Sequence, residues 1–90
     1  MAGGGRMNRQ GFFIEPTIFS EVTDEMEIAM EEIFGPVMCI LRFKDLDEVI
    51  QRANSTRYGL AGGVMTQSLK SAMEVQKKLK CGIVYVNCWG

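Results

Sequence analysis

Histidine is absent from the 90 residues, which removes Ser-His-Asp and Cys-His catalysis and the usual histidine-bearing zinc sites. Cysteine is scarce. Cys39, Cys81 and Cys88 are odd in number and never fall in Cys-x-x-Cys spacing, so neither a metal site nor a redox pair is expected. Their reduced state suits an intracellular protein of the cytoplasm or the mitochondrial matrix. No apolar run reaches the roughly 18 residues of a membrane span. The opening Met1-Ala2-Gly3-Gly4-Gly5-Arg6 also lacks the apolar middle of a signal peptide. Excess charge is missing too: 10 basic against 11 acidic residues leave a net charge of −1, which provides no field for nucleic acid or anionic lipid. Neither partner is expected, and no Gly-x-Gly-x-x-Gly is present to cradle a dinucleotide phosphate.

What is there is an ordinary globular composition, 47% hydrophobic and 23% charged, which excludes a disordered tail. A chain of this size buries only about 60–65% of its unfolded surface, so its stability alone is expected to be marginal.

Residues 1–10 are glycine-rich and polar and read as a flexible start, with residues 11–90 forming the folded part. Phe12-Phe13-Ile14 and Thr17-Ile18-Phe19 are short apolar runs either side of Pro16, which confines that segment to an edge or strand terminus. Asp24 stands three residues before Glu27, and Met26, Ala29, Met30 and Ile33 recur at helical spacing, predicting an amphipathic helix. Gly35-Pro36 ends it. Val37 to Phe43 is a nearly continuous apolar run, the pattern of a strand covered on both faces. Asp45 and Glu48 repeat the capping spacing ahead of Leu46, Val49, Ile50 and Ala53. A short strand within 59–66 follows. Ser68 then caps a helix with Leu69, Ala72, Met73, Gln76 and Leu79 along one side, and Gly82 suits a left-handed residue beyond its end. Ile83-Val84-Tyr85-Val86 closes the series. The expected fold is α/β, a parallel sheet built from two consecutive βαβ units. A last strand here leaves an open edge unless more chain follows.

The segment Glu31-Glu32-Ile33-Phe34-Gly35-Pro36-Val37 serves no packing period and reads as a site. A carboxylate accepts from paired ribose hydroxyls, and two acids at a helix end oppose the dipole and call for a partner. The alternatives are a solvated acidic turn for the glutamates and a core wedge for Phe34. By the rule that ligands bind beyond the carboxyl ends of parallel strands, Glu32 and Phe34 lie at the wrong end of the strand they precede. A cleft shared with another domain reconciles this.

With its flanking text from about Gly3 to Trp89, this segment resembles the NAD(P)-dependent aldehyde dehydrogenase superfamily, in the C-terminal part of its catalytic domain. The resemblance implies a fragment of an enzyme that oxidises aldehydes to carboxylic acids with NAD or NADP, as part of a homo-oligomer. It implies that Glu32 hydrogen-bonds the nicotinamide ribose, that Phe34 lies beside the nicotinamide ring, and that Asn87 and Trp89 approach the substrate tunnel. The family's nucleophilic cysteine, general-base glutamate and oxyanion asparagine match no position, so no catalytic residue is assigned and the chain alone is expected to be inactive. Met30 departs from the polar or basic residue more usual there. A free-standing α/β binding module and an inactive remnant are the rival readings, and the length of flanking coding sequence discriminates among them.

Overall fold

The computed structural model describes residues 1–89. Its elements run β1 (Thr17–Phe19), α1 (Glu27–Met30), β2 (Val37–Cys39), α2 (Leu46–Ala53), β3 (Ala61–Val64), α3 (Leu69–Lys78) and β4 (Ile83–Val86). They fall into two compact units, Met1–Arg42 and Phe43–Gly90. The α/β class, the parallel pairing and the unit that joins the strand within 59–66 to Ile83–Val86 are as the sequence predicts, but the strands form two separate two-stranded sheets, not one sheet. The partners differ. The strand at Val37 does not pair with the segment 59–66; it pairs in parallel with β1, Thr17 opposite Val37 and Phe19 opposite Cys39, while β3 pairs with β4. The βαβ units are therefore β1-α1-β2 and β3-α3-β4, with α2 between them.

In the first unit, Thr17-Ile18-Phe19 supplies β-branched and aromatic residues suited to a pleated strand. Its backbone donors and acceptors are used on both sides. Ala2 and Ile18 exchange two hydrogen bonds of 2.8 Å, the Ile40 amide donates to Phe19 at 2.8 Å, and the Thr17 amide donates to Pro36 at 2.8 Å. The glycine-rich start thus runs antiparallel to residues 14–18, with bridges Ala2–Ile18 and Arg6–Ile14. Gly3 has φ +86°, and a Cβ there would overlap the Pro16 carbonyl, so only glycine fits this crossing. Thr17 is buried and donates its hydroxyl to the Glu15 carbonyl at 2.8 Å; Val22 is the buried apolar residue of this unit.

Helix α1 is one turn, shorter than the spacing of Met26 to Ile33 predicts. Met26, not Asp24, occupies its N-cap, and no side chain caps it. Two carboxylates at the C-terminal end, Glu31 and Glu32, oppose the dipole, and so short a helix has little propagation to offset nucleation. Strand β2 likewise stops at Cys39, with half-buried and exposed residues alternating, so only one of its faces is covered in this unit.

The second unit follows the local signals more closely. Asp45 accepts from the Glu48 amide at 2.9 Å, and Glu48 accepts from the Lys44 amide at 2.8 Å, a reciprocal cap displaced by one residue from the standard box. Ser68 accepts from the Ser71 amide at 3.2 Å. Helix α3 buries Ala72 and Val75, and Ile50 of α2 is buried in the same unit. Leu69 and Met73 are exposed, so the inward stripe is rotated from the one expected. Leu79 ends α3 in extended conformation, and Gly82 is not left-handed. Its amide donates to Gly59 at 2.9 Å, and a Cβ there would sit 3.2 Å from the Leu60 carbonyl. The glycine serves close backbone approach, not a helix cap.

Candidate functional site

The segment 31–36 joins α1 to β2. The Glu31 amide closes the helix on Glu27 at 2.9 Å; the Gly35 amide then donates to Ile33 at 2.9 Å and the Val37 amide to Gly35 at 2.8 Å. These are consecutive three-residue turns, with Phe34 and Pro36 at their centres. Proline's fixed φ suits that place. Each turn reverses the backbone sharply, so the side chain at its centre is thrown outward. Phe34 is 94% exposed and Glu32 is exposed on the same connection. A methyl added at Gly35 would meet only Ile14 and Ile33, both at 3.8 Å, so the turn does not depend on glycine for space. Both residues precede the amino end of β2, where the sequence places them.

A fully exposed phenyl ring is an apolar face without a packing role inside its unit. The Glu32 carboxylate, exposed on the same connection, accepts hydrogen bonds and donates none. Among the described residues, no three His, Cys, Asp or Glu converge as metal ligands, and no helix is long and apolar enough to cross a membrane.

The thiols are free. Cys39 donates to the Ile28 carbonyl at 3.6 Å and Cys81 to the Ile83 carbonyl at 3.1 Å. Both face backbone oxygen, which cannot act as a base. Cys88 is exposed. In the second unit a groove of about 560 Å3 runs along α3, lined by Leu69, Lys70, Met73, Glu74, Lys77 and Lys78; it contains none of the candidate site residues Glu32, Phe34, Asn87 and Trp89.

At the carboxyl end of β4, Asn87 has φ +55°. Its side-chain oxygen accepts from the Thr66 amide at 2.7 Å, and its side-chain nitrogen donates to the Thr66 carbonyl at 2.9 Å. Trp89 is exposed, with its ring centroid 5.0 Å from that of Tyr85 at 49°, a tilted contact of the favourable kind. A second asparagine, Asn54, grips the end of α3 in the same way: it donates to the Lys78 carbonyl at 2.8 Å and accepts from the Lys80 amide at 2.7 Å. Sequence reasoning gives the 54–60 segment no role. Asn54 follows α2 while its partners end α3, 24 and 26 residues away, so no local signal announces the contact.

Over residues 1–90 the sequence matches the aldehyde dehydrogenase family. The aldehyde dehydrogenase, cytosolic 1, of Mus musculus is 59% identical over 87 residues, which cover 97% of this chain and 17% of the relative. Human aldehyde dehydrogenase 1A1 is 54% identical over 88 residues, covering 98% of this chain and 18% of its own. The NAD+ complex of an aldehyde dehydrogenase from Bacillus cereus matches with a TM-score of 0.94 at 50% identity, over 99% of this chain and 18% of that one. The chain spans 17–18% of the length of these relatives.

Proposed function

The chain belongs to the aldehyde dehydrogenase family, and on that premise we propose that it works as one segment of an enzyme that oxidises aldehydes to carboxylic acids. NAD+ or NADP+, when bound, supplies the hydride acceptor. Water supplies the second carboxylate oxygen, and the aldehyde hydrogen leaves as hydride. The observation that carries this reading is the exposure of Glu32 and Phe34 on the connection from α1 to β2, Phe34 at the centre of a tight turn, within a sequence that matches the family throughout.

Glu32 accepts from the hydroxyls of the nicotinamide ribose, and Phe34 offers its open face beside the ring. A ribose contact orients more than it anchors. The dinucleotide phosphates must be held elsewhere, since these 90 residues contain no glycine-rich phosphate loop. Asn87 and Trp89 belong to the approach of the aldehyde, at the carboxyl end of β4 where parallel sheets receive ligands. The nucleophile is assigned to none of Cys39, Cys81 and Cys88: the first two face backbone carbonyls, and the sequence contains no histidine to serve as a base. The name of the mouse relative supports a cytosolic enzyme, and the same reading makes the parent a homo-oligomer.

The test is Glu32→Gln in the complete dehydrogenase. Loss of one charge-assisted hydrogen bond worth about 1.5–3 kcal/mol slows hydride transfer or deacylation about ten- to a hundredfold, with a modest loss of cofactor affinity. Steady-state and single-turnover rates equal to those of the parent would return Glu32 to a solvated acidic turn.

A further inference from the structure

The pairing of β3 with β4 has little in its own residues to fix its register. A register is well specified where side chains must stay on one face, and poorly specified in glycine-rich strands. Strand β3 is Ala61-Gly62-Gly63-Val64, so half of the residues set against Ile83, Val84, Tyr85 and Val86 carry no side chain. A Cβ on Gly62 would come within 2.6 Å of Leu79, so that glycine admits a neighbour but presents nothing for β4 to read. A slip of two residues also returns every side chain to its own face, while carrying β4 about 7 Å along its partner. Main-chain bonds do not oppose such a slip, because every residue here has the same donor and acceptor to remake them.

Two side chains outside the ladder do oppose it. Before the strands, Asn54 on the β3 side donates to the Lys78 carbonyl at 2.8 Å and accepts from the Lys80 amide at 2.7 Å on the β4 side. After the strands the roles are exchanged: Asn87 on the β4 side accepts from the Thr66 amide at 2.7 Å and donates to the Thr66 carbonyl at 2.9 Å on the β3 side. Each carboxamide offers an acceptor and a donor on adjacent atoms, as a peptide group does. Both are tied closely to the ladder. Between Asn54 and β3, the Ser55 hydroxyl donates to the Arg52 carbonyl at 2.6 Å and the Thr56 hydroxyl accepts from the Tyr58 amide at 3.2 Å. At the other end the Asn87 amide donates to the Val64 carbonyl at 2.9 Å, and its φ of +55° lies in a region that asparagine enters more readily than most residues with a Cβ. A slip in either direction takes both carboxamides off their partners at once.

We propose that Asn54 and Asn87 together form a register lock, a conformational device that holds the glycine-rich β3 at one fixed position along β4 from outside the ladder. The side chains within the ladder do not choose that position. The lock acts on the backbone alone and is independent of the reaction that the complete enzyme performs.

The experiment reads the register directly, by disulfide trapping in the complete dehydrogenase under a fixed redox buffer, with linked peptides identified by mass spectrometry. Val64→Cys with Val86→Cys reports the observed register, since these two residues are paired and neighbouring strands lie close enough for a disulfide. Val64→Cys with Val84→Cys reports a slip of two. The 64–86 link forms readily in the parent and the 64–84 link rarely. Asn54→Ala and Asn87→Gly each raise the 64–84 link about two- to tenfold, the scale of one ordinary hydrogen bond, and the two factors multiply when both are made, because both carboxamides oppose one slip. Ile83→Ala, a truncation inside the ladder, leaves the 64–84 link at the parent level. A 64–84 link unchanged by loss of both asparagines, or raised as much by Ile83→Ala, overturns the lock. Amide exchange supplies a second reading that needs no new cysteine: Asn87→Gly quickens Thr66, and Asn54→Ala quickens Lys80. Unchanged exchange at both overturns it as well. Each single variant reads out alone, so a double variant that fails to fold leaves the proposal open to refutation.

Discussion

The unit Phe43–Gly90 closes its helix ends with side chains, and the unit Met1–Arg42 leaves them to the backbone. Asp45 and Ser68 cap α2 and α3, and Asn54 grips the end of α3. In the first unit α1 is a single turn with no side-chain cap, and the connection that displays Glu32 and Phe34 is held by turns of the main chain. The residues with a proposed part in cofactor binding therefore lie on the less reinforced framework. Ligand-contacting segments are commonly drawn from the less stable parts of a fold, because a side chain turned toward a ligand contributes nothing to packing behind it. Asn87 shows the other solution, in which a side chain is committed wholly to backbone so that its neighbour is free to face outward.

The comparison breaks most directly at Ile50. This side chain is buried with Ala72 and Val75 forming the rest of the buried apolar set of its unit, and truncating a buried isoleucine to alanine costs about 2–5 kcal/mol. Amide exchange in the complete dehydrogenase is expected to rise across α2, α3, β3 and β4 in Ile50→Ala, and to stay unchanged at β1 and β2. An equal rise in both units would show that they open together, and the contrast drawn above would then be one of local geometry only.

Asn54→Ala sharpens it at smaller scale. The substitution leaves the Lys78 carbonyl and the Lys80 amide without their side-chain partner. Lys78 and Lys80 are exposed, so water replaces the lost partner and the cost is that of an ordinary hydrogen bond, about 0.5–1.5 kcal/mol each. Exchange should quicken in the last turn of α3 and around 79–82 while the first turn, capped by Ser68, is unmoved. No change at 79–82 would make the Asn54 contacts incidental.

The signals legible in the sequence were those carried within four residues. Asp45 with Glu48 and Ser68 with Ser71 are such pairs, and both helices begin where they predict. Ile83–Val86 is a β-branched run and forms β4. One local signal failed, since Asp24 with Glu27 has the same spacing and makes no cap; the other failures depend on distance along the chain. Three residues, Thr17–Phe19, cannot announce that Val37–Cys39 will choose them over a longer candidate. The two asparagine clamps reach 21 to 26 residues to main-chain atoms, which have no signature of their own. Helix α3 misled because Leu69 and Met73 share the apolar chemistry of a core stripe but point outward, leaving the smaller Ala72 and Val75 to pack. Met26 and Met30 are likewise exposed. Glu32 and Phe34 are exposed, and their assignment to ribose and nicotinamide comes from resemblance, since a carboxylate and a phenyl ring fit many ligands.

The smallest effect is expected at Lys78, the one cationic link between the two side-chain-capped helices among the described ion pairs. Its ammonium donates to Glu74 at 2.6 Å and to Asp47 at 3.0 Å. The hydrogen bond to Glu74, then that to Asp47, raises its pKa above the ordinary 10.5. A raised folded-state pKa means that the folded protein holds this proton more tightly. The contribution is therefore fully present below pH 10.5 and is lost as pH climbs through the raised value. The group is open to solvent, so the pair is screened, and at about 1 M salt the screening length falls to about 3 Å. Thermal midpoints of Lys78→Met and the parent should differ slightly at neutral pH and low salt. They should converge in high salt, and converge again once the parent is taken above the raised pKa. A difference that survives both treatments would assign the effect to packing of the lysine stem against the apolar groove of Leu69 and Met73. Charge would then have no part in tying α2 to α3, and Asn54 would be the only side chain among these contacts left to do so.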